Sequence, residues 1–377
     1  MPELQIIAPI SNQFSRNSQA TAVELSPGGR ILLAFARYGG GGTDHSANGI
    51  YQTHSDDGGS TWSEPVRMPT GQPQQNLGAA SLVPLEDRLL FGFWFRNGGN
   101  DSVLKMMESQ DGGASWSEPR QVVPNPETPK GIWITGLNDG ILRLQSGRLV
   151  WALQTLTGVP RPEDDLGVLT AYSDDSGATW QRIPAAPTAT DATTGEFTYL
   201  PVIPQPQSDP DSPLRLHEPS IIQRKDGSLW MLARTTRGRL FTSESQDGGE
   251  TWTPLRPSEI RSETAPPYLK RLSDGRMILL SNPVANEDRE QLCLPPRKRP
   301  ILQLQFSSDD GHTWRQPIQV ANDSGKHGFC YPNVVERIGA KELLIFFTRT
   351  PDIIYPGALV MVRLPLEAPE RHSVRFP

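Results

Sequence analysis

Five stretches of the chain fit one octapeptide pattern, Ser-x-Asp-x-Gly-x-Thr/Ser-Trp. They start at Ser55 (SDDGGSTW), Ser109 (SQDGGASW), Ser173 (SDDSGATW), Ser245 (SQDGGETW) and Ser307 (SSDDGHTW), so successive copies stand 54, 64, 72 and 62 residues apart. Repetition on this scale predicts a stacked or radial array of one supersecondary unit. The octapeptide reads as a turn with a wedge. Asp57 can accept backbone N–H groups within its own turn. Gly59 allows a backbone conformation closed to other residues. Trp62 offers a large ring to pack between neighbouring sheets while its N–H finds a partner.

The 377 residues suffice for a large core, and the 34 Gly and 36 Pro suit many turns and few helices. A net charge of −6 argues against a general attraction to nucleic acid or membrane. Cys293 and Cys330 are too few for a disulfide framework, and no metal-ligand spacing occurs, so no cofactor is expected. MPELQIIAPISNQ has no signal-peptide pattern, and no apolar run nears the ~20 residues of a membrane span. A cytoplasmic location is the expectation.

The five octapeptides resemble the Asp boxes of the sialidase-like β-propellers. That resemblance implies an all-β, six-bladed propeller occupying 1–377 as one domain, and it makes the box Asp residues structural. Between the boxes lie short apolar runs bounded by Gly, Asp or Pro, which is how strands read. Blade one starts with Ala20–Leu25 and Arg30–Tyr38; blade three starts with Thr135–Leu144. The sixth blade offers Tyr331–Arg337, Glu342–Thr348 and Gly357–Leu364 and lacks a fourth strand. The opening run Leu4–Ile10 is expected to supply it and close the ring, leaving no long free edge. Two long polar insertions, Ala185–Leu216 and Val284–Lys298, are candidate lids.

Antiparallel topology puts the starts of first strands, the ends of second strands and the loops after them on one rim, opposite the boxes. First-strand starts carry Ser18, Gln19, Asn138, Asp139, His217, Glu218, Tyr268 and Tyr331. Second-strand ends carry Arg37, Arg96, Arg234 and Arg349; the loops add Asp44, His45 and Arg299. So many arginines at one rim predict a carboxylate, sulfate or phosphate ligand, which the guanidinium fork binds bidentately. His45, His217 and His327 are further candidate bases, and Trp133 a candidate sugar platform.

Here the likeness to sialidases becomes specific. His217-Glu218-Pro219-Ser220, then Asp226-Gly227, then Leu232-Ala233-Arg234 is similar to a stretch in which a Glu activates a tyrosine and an Arg grips the substrate carboxylate. Arg299 in RPILQLQFSSDDGHTW resembles the third Arg of that grip. Tyr331 in GFCYPNVVE stands where the nucleophile would be, and Asp44, 11 residues before Ser55, resembles the acid/base Asp. The resemblance implies Tyr331, Glu218 and Asp44 as catalytic residues. Arg234, Arg299, Arg37, Arg96, His217, Tyr268, Asn138 and Asp139 are the expected substrate contacts. One element departs: the family's Arg-Ile-Pro motif is replaced by SRNSQATAVEL, whose register puts Ser18 at the Arg position and Arg16 two residues early, so Arg37 or Arg96 would have to reach in.

The implied activity is exo-hydrolysis of a terminal acidic sugar, sialic acid or a relative, with a Tyr nucleophile and retention. A neutral phenol nears a carbon bearing a carboxylate more easily than an anion does. The residues leave two other readings open: a lyase of uronic-acid polysaccharides, and a non-catalytic propeller that binds acidic glycans.

Overall fold

Second strands such as Ile31–Tyr38 (ILLAFARY), Leu229–Arg234 (LWMLAR) and Met277–Ser281 (MILLS) are apolar almost throughout and almost wholly buried. A strand covered on one face alternates apolar and polar residues. A continuous apolar run therefore calls for a packed sheet on both sides. The computed structural model provides that arrangement. It describes residues 4–44, 46–71, 76–98, 101–122, 132–157, 167–183, 215–284, 299–322, 325–351 and 356–367. These form six four-stranded antiparallel sheets, with one 3-10 turn at Gly40–Gly42. Among the described residues no helix is long and apolar enough to cross a membrane.

Blade one is Arg16–Glu24, Ile31–Tyr38, Asn48–Ser55 and Val66–Arg67. Blade two is Asn76–Pro84, Leu89–Gly98, Asp101–Ser109 and Arg120–Gln121. Blade three is Ile132–Arg143, Leu149–Thr157, Val168–Ser173 and Gln181–Ile183. Blade four is His217–Gln223, Leu229–Arg234, Arg239–Ser245 and Arg256–Arg261. Blade five is Tyr268–Arg271, Met277–Ser281, Ile301–Ser307 and Ile318–Asn322. Blade six is Gly328–Arg337, Glu342–Thr350 and Ala358–Pro365, completed on its outer side by Gln5–Ala8. First strands touch first strands all the way round, from blade one through blade six and back, so the ring is closed. The strand expected from the N-terminus is the one that closes it. The insertions Ala185–Leu216 and Val284–Lys298 fall almost entirely outside the described residues.

Each box is built as its residues predict. Ser55 Oγ donates to Asp57 Oδ1 at 2.8 Å, and the Thr61 backbone N–H donates to the same oxygen at 2.8 Å. Thr61 Oγ1 donates to Asp57 Oδ2 at 2.7 Å, and Gly59 takes φ 87°. The other four boxes repeat these contacts. Such bonds favour the ionised form and hold the exposed Asp111 and Asp175 carboxylates at about 2.

The tryptophans wedge against the preceding blade. Trp62 meets Phe346 of blade six edge-on at 5.6 Å, and Trp314 packs on Trp230 of blade four. Trp116 Nε1 donates to Gln52 of blade one, and Trp252 Nε1 to Thr170 of blade three at 3.0 Å. Basic side chains add polar staples on this rim. Arg337 and Arg363 of blade six donate to the Gly58 carbonyl, and Arg148 of blade three reaches Gly248 and Glu250. Because Trp252 is buried at a blade junction, Trp252→Ala is expected to cost about 3–5 kcal/mol. The urea midpoint reads it; a loss under about 1 kcal/mol would contradict the wedge.

Candidate active site

The first strands carry a local device that aims side chains at the axis. In five blades the pairing with the second strand slips at one place: Ser18/Thr21, Gly78/Ser81, Gly136/Ile141, His217/Ser220 and Cys330/Asn333. Such bulges re-aim a side chain. Within them Gln19, Asp139, Glu218 and Tyr331 take φ between 49° and 55°, a left-handed conformation that L-residues rarely adopt. Strain of this kind costs on the order of 1–3 kcal/mol and concentrates at functional sites.

Two of these residues meet. Tyr331 Oη donates to Glu218 Oε1 at 3.0 Å, although 113 residues separate them. Arg234, at the end of blade four's second strand, donates through Nη1 to Glu218 Oε2. The Glu218 backbone N–H donates to Gln154 of blade three. Arg299 is completely buried; its Nη2 donates to the Thr264 carbonyl at 2.6 Å, and its own carbonyl accepts the Phe329 N–H two residues before Tyr331. Arg299 Nε and Nη1 and Arg234 Nε are buried without a hydrogen-bond partner among the described residues.

Arg16 completes the group. Its buried guanidinium lies 5.9 Å from the Tyr331 ring, as does that of Arg299, and its Nη1 touches Asp44 Oδ1 at 2.5 Å. The Asp44 side chain is 61% exposed, at the mouth. Register had put Ser18 in this position. Blade one's first strand instead begins four residues before Ala20, and the slip at Gln19 lies downstream of Arg16. Arg16 therefore pairs directly with Tyr38, while Ser18 turns to Thr348 of blade six.

Three cations and two carboxylates thus surround one phenol. Burial pushes Glu218 up, but the Arg234 and Arg299 charges outweigh it and hold the carboxyl at about 2. Burial, reinforced by the Glu218 charge, pushes the Tyr331 phenol well above its ordinary range. Burial and then the Arg234 charge push His217 down to about 3, so its imidazole is neutral at pH 7; its Nε2 is buried without a hydrogen-bond partner among the described residues. The folded-state value lies below the ~6.5 of an unfolded His. The native form then binds fewer protons, and stability falls as pH drops from about 6.5 toward 3. His217→Gln should flatten this limb of a urea-midpoint series; an unchanged slope would mean that His217 titrates normally.

The other expected contacts distribute differently. Arg96 is buried opposite Asn76, whose amide donates to the Asp44 carbonyl. Arg37 alternates to the other sheet face. It stacks on Phe14 at 3.9 Å and donates to Asn17 at 3.0 Å, away from the cluster. Arg349 reaches His327. His45 and the Trp133 side chain lie outside the described residues.

Asn138, Asp139 and Tyr268 are not in the cluster's contact shell. They form a floor across the axis: Asn138 donates to the Ala20 carbonyl at 2.7 Å, and Asp139 accepts from Thr21 at 3.2 Å and Tyr268 at 2.6 Å. Asn138 and Asp139 sit mid-strand because that strand starts at Ile132 rather than Thr135. Tyr268 lies level with Asn333, two residues beyond Tyr331. Asp139 and Tyr268 also line a cavity of about 410 Å³ that extends, through Arg143 and Arg271, toward the box rim.

Residues 89–341, more than half of the chain, match the BNR repeat-like domain. The chain belongs to that family. Among curated proteins, this BNR-repeat chain is 28% identical to a sialidase of Vibrio cholerae over 225 residues, 55% of its own length and 26% of the relative's. It is 28% identical to the anhydrosialidase of Macrobdella decora over 256 residues, 62% of its length and 28% of the relative's. It therefore spans about a quarter of these relatives. Among solved structures, Trypanosoma rangeli sialidase in complex with sialic acid superposes with a TM-score of 0.69 at 14% identity, covering 98% of this chain and 59% of that one. A Dyadobacter fermentans protein of unknown function gives 0.66 at 17% identity, covering 96% and 100%. At such identities these two establish the shared propeller fold alone.

Proposed function

We propose that the chain is a retaining exo-glycosidase for a terminal acidic sugar, most simply sialic acid, with Tyr331 as nucleophile. The observation carrying this reading is the Tyr331–Glu218 contact at 3.0 Å beneath three buried arginines. Arg16, Arg234 and Arg299 grip the substrate carboxylate. Tyr331 Oη attacks the anomeric carbon as the glycosidic C–O bond breaks, Glu218 takes the phenol proton, and Asp44 gives its proton to the leaving oxygen. Water then attacks the same carbon as its bond to Tyr331 Oη breaks; the water yields one proton to Asp44, and Glu218 returns the phenol proton to Tyr331. Two displacements retain the anomeric configuration.

The charges of the resting site fit this order. A carboxyl held at about 2 is a weak base. An arriving carboxylate competes for Arg234 and Arg16, which loosens their hold on Glu218 and makes it a better base. The test is hydrolysis of a fluorogenic α-sialoside, with proton NMR of the first-formed sugar. Release of the α anomer is expected. Inertness toward sialosides and other acidic glycosides, or first release of the β anomer, would overturn the proposal.

A further inference from the structure

Arg16 has to present its N–H edge to a carboxylate from a site where the side chain is 0% exposed. Its ion-pair partner Asp44 is largely in solvent and is a poor anchor for a fixed orientation. The face of the guanidinium is held from elsewhere. Tyr38 stands directly across the sheet from Arg16, is 2% exposed, and places its ring 4.7 Å from the guanidinium carbon. Its hydroxyl bonds to Gln19 Oε1 at 3.3 Å, which fixes the ring from its far end. Burial raises the phenol to about 12, so it stays neutral beside the cation.

Backbone supplies a further contact. The Gly42 carbonyl accepts from Arg16 Nη1 at 3.4 Å; Gly42 takes φ 71°, and a Cβ there would come within 2.9 Å of the Arg16 Cβ. Stacking on an aromatic face uses none of the N–H donors, and a desolvated cation–π contact is among the stronger ones.

We infer that Tyr38 is a positioning residue: its ring holds the Arg16 guanidinium so that the N–H edge meets the substrate carboxylate, and it thereby makes a carboxylate-bearing sugar the preferred substrate. This rests on the proposed glycosidase reading. A ring that only filled space would affect every ligand alike. One that orients Arg16 affects ligands in proportion to their charge at that position.

The experiment uses the full chain with Tyr38→Leu and Tyr38→Phe, a fluorogenic α-sialoside, and the same glycoside with its carboxylate converted to the carboxamide. Tyr38→Leu should raise KM for the acid about tenfold, with a smaller change in kcat, and leave KM for the amide near the parent value. Tyr38→Phe, which restores the ring, should recover most of the lost affinity. Equal losses on acid and amide, or no loss in Tyr38→Leu, would overturn the inference. If the parent hydrolyses neither glycoside, the glycosidase reading fails and the crystal structure of Tyr38→Leu decides the orientation claim. Arg16 swung away from Tyr331 supports it, and Arg16 unmoved overturns it.

Discussion

Tyr331→Phe is expected to lower kcat by at least about a thousandfold while leaving KM within a few-fold of the parent. The phenyl ring fills the same buried space between Arg16 and Arg299, so the pocket keeps its shape. What disappears is Oη, the atom that reaches Glu218. Loss of one such hydrogen bond is worth only about 1 kcal/mol of stability. The effect on rate therefore exceeds the effect on folding by a wide margin. Steady-state kinetics together with a urea midpoint separate the two. A variant retaining a tenth or more of the parent kcat would move the nucleophile to another residue.

Glu218 and Arg299 should answer in opposite senses when stability is measured. The cluster holds three buried arginines against Glu218 and the solvent-facing Asp44. Glu218→Ala strips the deeper counter-charge from Arg234 and leaves the cations facing one another, an expected loss of about 3–5 kcal/mol. Arg299→Met removes a buried cation whose Nε and Nη1 have no partner among the described residues, and it relieves repulsion. It should leave the urea midpoint unchanged or higher while sharply weakening carboxylate binding. Such a divergence is expected where a charge serves ligand binding rather than folding. A midpoint for Arg299→Met as low as that for Glu218→Ala would mean that the arginine stabilises the resting fold.

The parts of this molecule legible in the sequence are those whose physics is local. A box closes on contacts between residues two and four apart, such as Ser55 to Asp57 and Asp57 to Thr61, so the octapeptide itself states the structure. The second strands announce their burial through unbroken apolar runs, and the closing strand follows from counting partners. The Glu218–Tyr331 pair could be read because the surrounding motifs fit a known pattern.

What could not be read depends on register. Arg16 and Arg37 both lie near the rim of blade one, and whether one or the other faces the axis is decided by which residue pairs with Tyr38 and where the strand slips at Gln19. Neither leaves a mark in composition. Asn138 and Asp139 misled in depth: a strand that starts at Ile132 carries them past the mouth and into the floor.

The closing strand Gln5–Ala8 runs from the box rim toward the mouth, antiparallel to Ala358–Pro365, which runs back the other way. Its start lies beside the box turn at Ser60, and the far end of the last strand lies beside Lys341 on the same rim. Any tether or fused module joined at Leu4 or Glu367 would leave from the underside, behind the tryptophans. Immobilising the protein through either residue would therefore keep the mouth turned outward.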